Sequence, residues 1–270
     1  MQGRSARVIG WLVLAISFSV TSSHVSPAQE RRELTVAAAA DLAPVLKELA
    51  SEFKKQTGVE PKIILGASGN LATQIENGAP FDVFLSADMD YPQRLVTAGL
   101  ADRRTLFAYA RGRVVVWVPS QVQVDLQGRG MDALLDPRIA RIAIANPKHA
   151  PYGRAAEAAL RSSGVYDRVS SKLVVGENVA QAAQFVESGN AQAGLIAITH
   201  ALAPHMRGKG KYWIVPTTGY PAMLQGAVVL KDGSGNPLAS QFLQMLRGPR
   251  AVSLLSQHGV ESVEGARRQP

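Results

Sequence analysis

From Glu33 onward, short apolar runs alternate with amphipathic stretches. Leu34-Thr35-Val36-Ala37-Ala38 reads as a buried strand. Residues 42–56 read as a helix, because Val45, Leu46, Leu49 and Phe53 recur at three- and four-residue spacing. Gly58 ends that helix. The pattern then repeats, with a strand over 62–65, a helix over 70–76 closed by Asn77-Gly78, a strand over 83–85 and a helix over 91–98. This βαβαβ order predicts an open, mostly parallel sheet. Ligands of such sheets bind beyond the C-terminal ends of the strands.

A second α/β unit follows. Residues 113–118, rich in Val and closed by Pro119, form a strong strand, and 142–145 form another before a Pro-rich turn. A helix over 155–162, a strand over 172–175, a helix over 179–188 and a strand over 194–198 complete the unit. Strands over 212–215 and 225–230 and helices over 238–246 and 251–257 finish the chain. Two such units predict two lobes, 29–110 with 221–270 and 111–220. That division needs the chain to cross between lobes twice, which periodicity alone leaves open.

The N-terminus stands outside this pattern. Arg4 and Arg7 precede an apolar run over 8–20, and a polar stretch ends in Ser26-Pro27-Ala28. A basic head, a short apolar centre and small residues before a cut form a secretory leader, expected to be cleaved after Ala28. The apolar run is short for a membrane span of about 20 residues. The expected location is therefore the periplasm. With no Cys among 270 residues, disulfides, thiolate metal sites and Cys nucleophiles are excluded. The formal net charge of +8 is scattered, as in Lys54-Lys55, Arg103-Arg104 and Arg267-Arg268. Without zinc-finger spacing or an aromatic-basic strand motif, no nucleic-acid partner is expected.

Two loops can carry chemistry. Ala38-Ala39-Ala40-Asp41 and Gly66-Ala67-Ser68-Gly69-Asn70 each join a strand to a helix and are built of small residues. Small residues let a ligand approach the backbone. A helix N-terminus offers free N–H groups and a positive dipole end. Two such ends converging make an anion site without Lys or Arg, and Ser68 adds a hydroxyl donor. Neither loop has the Gly-Lys-Ser/Thr of a phosphate loop, and Asp and Ser are also ordinary helix caps. His200 and His205 share no clean helical face and have no third ligand nearby, so they are not read as a metal site. Asp82 and Asp88 read as strand-end residues, Trp117, Tyr212 and Trp213 as core, and Arg154 as an exposed rim residue.

The stretch 66–88, with its run Ile75-Glu76-Asn77-Gly78-Ala79-Pro80-Phe81-Asp82, resembles the periplasmic molybdate-binding proteins of ABC transporters. So do 36–42, Asn146-Pro147-Lys148-His149-Ala150-Pro151-Tyr152-Gly153, and the ending Leu246-Arg247-Gly248-Pro249 with His258-Gly259. The resemblance covers about 34–260. It implies an α/β, two-lobed type II periplasmic-binding-protein fold with the ligand in the inter-lobe cleft.

It further implies that Ser68 binds through hydroxyl and amide, and that Tyr152 and Val179 bind through backbone N–H groups. Asp41 stands where well-known members have a Ser, and Ala197 where some have a Tyr. The Tyr152 hydroxyl is a candidate to replace the donor missing at Ala197. The implied ligand is molybdate or tungstate, held through Asp41, Ser68, Tyr152 and Val179 without direct metal-ion ligands. No cofactor is implied. The implied partner is an ABC permease, and the protein is expected to be a monomer and not an enzyme. Sulfate or phosphate is the alternative ligand, and a two-lobed enzyme the rival class.

Asp41 is the departure with electrostatic consequence. A carboxylate about 4 Å from a unit of ligand charge costs about 4 kcal/mol at an effective dielectric of about 20. Two readings remain open. In the favoured one Asp41 caps its own helix by accepting the Ala43 N–H and serves the ligand with its backbone amide. In the other, the ligand carries a proton that Asp41 accepts.

Overall fold

The computed structural model describes residues 33–263. The expected leader at 1–28 and the pair Arg267-Arg268 lie outside the described residues. The first unit runs β1 (Thr35–Ala39), α1 (Ala43–Thr57), β2 (Lys62–Gly66), α2 (Ser68–Glu76), β3 (Val83–Ser86), α3 (Asp90–Thr97) and β4 (Phe107–Arg111). The second runs β5 (Val114–Pro119), α4 (Leu126–Arg129), β6 (Ile142–Ala145), α5 (Pro151–Ser162), α6 (Tyr166–Val169), β7 (Leu173–Gly176), α7 (Val179–Glu187), β8 (Ala193–Ala197), α8 (Ile198–Ala201) and β9 (Gly210–Ile214). The chain closes with β10 (Leu224–Val229), α9 (Pro237–Arg247), α10 (Pro249–Gln257) and β11 (Glu261–Ser262).

Two sheets result, ordered β11-β4-β10-β3-β1-β2 and β7-β6-β8-β5-β9. In the first, β1 lies between β2 and β3, parallel to both. A parallel strand covered on both faces needs a continuous apolar run, which Thr-Val-Ala-Ala-Ala supplies. In the second, β6 lies parallel between β7 and β8.

Both sheets are mixed rather than mostly parallel, and the chain path explains it. β4 leads out of the first sheet into β5, and β9 leads out of the second into β10. Strands β5 and β10 thus begin at the boundary between the sheets, whereas β3 and β8 end there. They therefore pair antiparallel to β8 and β3 respectively. Strand direction of this kind leaves no mark on hydrophobic periodicity.

Element ends follow local chemistry. α1 ends at Gly58, whose φ of 77° is the left-handed conformation of a helix stop. The Pro-rich turn before residue 155 is the first turn of α5, which starts at Pro151. Proline suits that position because the N–H it lacks would have no helical partner. Sequence reading missed β4, β11, α4, α6 and α8, all short.

Trp117 is buried in the core of the second sheet, with Tyr212 and Trp213 packed partly buried against it. In the first unit, Phe53 of α1 meets Phe242 of α9 edge to face, with ring centroids 5.3 Å apart. Among the described residues no helix is long and apolar enough to cross a membrane. Phe53 is fully buried, so Phe53→Ala should destabilise the fold by about 3–5 kcal/mol, read as a lower urea midpoint at unchanged slope.

Candidate functional site

The parallel strands of both sheets point their C-terminal ends at one cavity of about 190 Å³. Asp41, Ser68, Tyr152 and Val179 all line it, with Ala39, Ala40, Gly66, Ala67, Ala87 and Ala150 supplying small neighbours. No Lys or Arg is in its wall.

Three helices begin at this wall, and in each the local caps satisfy the neighbouring N–H groups. In α7 the Asn178 side chain accepts from Ala180 and Gln181 at 3.0 and 3.1 Å. In α5, Pro151 has no N–H, and Gly153 and Arg154 donate to the Ala150 carbonyl at 2.9 and 3.1 Å. In α2, Gly69 donates across the cleft to the His149 carbonyl at 2.9 Å, and Leu71 donates to Ala67. The N–H groups of Val179, Tyr152 and Ser68 have no partner within their helices, since first-turn amides have none. Each faces a site whose dipole environment favours an anion. The Ser68 hydroxyl accepts the Ala87 N–H at 3.0 Å, which leaves its own hydrogen for an acceptor in the cavity.

Asp41 behaves differently from the favoured expectation. It sits in a 3-10 turn, Ala40–Leu42, and no side chain caps that turn or α1. Its carboxylate instead accepts from Gln225 Nε2 of β10. A buried amide from a distant strand has displaced the local cap. Burial raises the Asp41 pKa to about 7. The Gln225 bond, the residue's own N–H and the nearby Tyr152 hydroxyl pull it back in part. That hydroxyl is close without reaching full hydrogen-bond geometry, since Asp41 Oδ1 and Tyr152 Oη both lack a partner. Tyr152 thus turns its hydroxyl toward Asp41 and Gln225. Ala197, at the end of β8, pairs with Val114 and is not in the cavity wall.

The second unit braces the Asp41 turn from behind. Thr199 Oγ1 donates to the Asp41 carbonyl at 2.6 Å, and His200 Nε2 lies 3.0 Å from the Ala40 carbonyl. Burial pushes the His200 pKa down to about 4, so the ring is neutral near pH 7 and donates Nε2–H there. At the rim, Arg154 of α5 pairs with Asp88 after β3 and donates to the Tyr91 hydroxyl at 3.0 Å. Burial raises the Asp88 pKa, while the Tyr91 N–H and Arg154 lower it. Arg154 is therefore a cross-cleft contact rather than a free rim charge. Sequence reading missed Gln225, Tyr109 and Thr199. Gln225 was visible only as one polar residue in the apolar strand Leu-Gln-Gly-Ala-Val-Val.

A two-sheet α/β scaffold with helix N-termini converging on one cavity defines a class, and the comparisons agree. The profile of the bacterial extracellular solute-binding proteins matches residues 34–261. The molybdate-binding protein ModA of Azotobacter vinelandii is 38% identical over 232 residues, covering 86% of this chain and 91% of the relative. ModA of Rhodobacter capsulatus is 37% identical, covering 84% and 87%. The solved structure of the Azotobacter vinelandii periplasmic molybdate-binding protein superposes with a TM-score of 0.77 at 33% identity, covering 84% of this chain and 98% of that one. The chain belongs to the bacterial extracellular solute-binding family, in its ModA branch.

A methyl group at Gly69 would stand 2.7 Å from the His149 carbonyl oxygen and 2.6 Å from the Tyr91 hydroxyl. Gly69→Ala should hold the cleft ajar at a cost of about 1–3 kcal/mol in ligand affinity, with small-angle scattering showing a more extended particle in the presence of ligand. His200 gives a pH dependence. Its folded pKa of about 4 lies below the ordinary value of about 6.5, so between these values the unfolded chain binds more protons. Stability is intact above about pH 6.5 and is lost as pH falls toward 4, by about 2 kcal/mol at pH ~5. His200→Gln, which keeps a neutral donor, should remove that loss in melts compared at pH ~5 and ~7.5.

Proposed function

We propose that the protein captures molybdate or tungstate outside the cytoplasm and delivers it to the membrane permease of an ABC transporter. The observation that carries this reading is the convergence of three unpartnered helix amides and the Ser68 hydroxyl on one small cavity without a cationic side chain. Neutral, fixed donors suit a fully ionised tetrahedral anion. Pocket size then separates molybdate and tungstate from the smaller sulfate. Membership of the family, and relatives that bear the name of molybdate-binding protein, support the choice of ligand.

In this reading Ser68 binds through hydroxyl and amide, and Asp41, Tyr152 and Val179 through their amides. Residues 29–110 and 221–270 form one lobe and 111–220 the other. The two passages between sheets, tied by the Gly112 N–H to the Met223 carbonyl at 2.9 Å, are the hinge. The leader at 1–28 directs the chain to the periplasm, where it works as a monomeric binding protein without cofactor, nucleic-acid partner or catalytic step.

Calorimetry on purified, ligand-stripped protein tests the reading. Molybdate and tungstate should bind tightly, and sulfate and phosphate not at all; no heat with molybdate ends it. Ser68→Ala should weaken molybdate binding by about 1–3 kcal/mol, as for a lost hydrogen bond to a charged group.

A further inference from the structure

Asp41 is an acid in the wall of a cavity built for anions. Its side chain is shielded from solvent. Gln225 of β10 donates to Oδ2, Tyr152 of α5 brings its hydroxyl beside the same carboxyl, and Tyr109 of β4 is buried near enough to feel its charge. Asp41 Oδ1, Gln225 Oε1 and both tyrosine hydroxyls lack hydrogen-bond partners. Among the described residues, no Lys or Arg lines the cavity beside it. His200 of α8 is held neutral against the Ala40 carbonyl, and Arg113, between β4 and β5, is paired with Glu261 of β11.

The cluster draws on both units and on the passages that join them. A Cβ at Gly112 would stand 2.5 Å from Tyr152 Oη and 3.0 Å from Gln225 Nε2. The cluster is therefore complete only when α5 sits over the first unit. An ionised Asp41 enclosed there beside a bound dianion would be a buried charge with a like charge as neighbour and no counter-ion. A protonated Asp41 is neutral, and its O–H is a donor that the unpartnered Gln225 Oε1 or the anion itself can accept.

We propose that Asp41 takes up one proton from solvent as the cleft closes over a divalent oxyanion, releasing it on opening, with Gln225 as the residue that positions the carboxyl. The proposal rests on the oxyanion reading of this same cavity. Burial without any anion already lifts the carboxyl to about 7, and a bound dianion lifts it further. The sign follows from linkage. The bound form carries more protons than the free form, so affinity falls as pH rises, by up to tenfold per unit until the bound carboxyl itself ionises. Molybdate remains a dianion throughout that range and contributes no slope.

The test is calorimetry with molybdate on the mature chain at pH ~8, in buffers of different ionisation enthalpy, with affinities measured from pH ~6.5 to ~8.5. About one proton should be taken up per anion, with affinity falling toward tenfold per unit. Asp41→Asn should show neither uptake nor slope. Gln225→Leu, which removes the Nε2 donor to the ionised carboxylate, should move the uptake midpoint to higher pH; a merely structural Gln225 would weaken binding equally at every pH. Tight molybdate binding by the wild type with no proton uptake and a flat profile overturns the proposal and leaves the function standing. No molybdate binding at any pH overturns both. Should Asp41→Asn not fold, difference infrared spectra of the wild type decide: molybdate must bring up the carbonyl band of a protonated carboxyl, and its absence refutes the proposal.

Discussion

An α-helix cannot satisfy the N–H groups of its own first turn, and in this chain that shortfall builds the cleft. α2, α5 and α7 all begin at the same cavity, two following parallel strands and one following the loop after β6. Their caps are nearly complete. Asn178 serves two amides of α7, the Ala150 carbonyl serves two of α5, and the cross-cleft bond to His149 serves one of α2. What remains includes the first N–H of each helix, from Ser68, Tyr152 and Val179, beside a wall of alanine and glycine. The formal charge of +8 has no part in the wall. In the proposed reading, fixed dipoles hold the anion without a flexible cation that must first be ordered.

The same enclosure sets the difficulty at Asp41. Burial that strengthens every donor in the cavity also penalises a carboxylate in its wall. The structure meets this with Gln225, the nearby Tyr152 hydroxyl and a raised pKa. Both the backbone and the side chain of Asp41 are therefore tied to the other unit, through Thr199 at its carbonyl and Tyr152 beside its carboxyl.

Closure itself is held by modest contacts. The Arg154–Asp88 pair spans the rim, with Arg154 41% and Asp88 13% exposed. With the Arg154 end open to solvent and Asp88 largely buried, part of the attraction offsets the desolvation of the carboxylate. The cross-cleft bonds from Gly69 and from Arg154 to Tyr91 are each worth about 1 kcal/mol in net terms.

Much of this was legible along the chain. The βαβαβ rhythm, the small-residue loops at Ala38-Ala39-Ala40-Asp41 and Gly66-Ala67-Ser68-Gly69-Asn70, and the resemblance around 66–88 led to the fold class and to four residues that share one cavity wall. Those features are local, and periodicity, turn chemistry and helix starts are written in adjacent residues. The antiparallel entry of β5 and β10, the pairing of Arg154 with Asp88 and the direction of the Asp41 carboxylate were not legible. Asp41 and Gln225 are 184 positions apart, and a local cap and a distant buried donor are indistinguishable until the chain has crossed between its sheets and returned. Sequence alone determined that donors would gather at strand ends; only tertiary packing decided that an acid among them would be sealed from water.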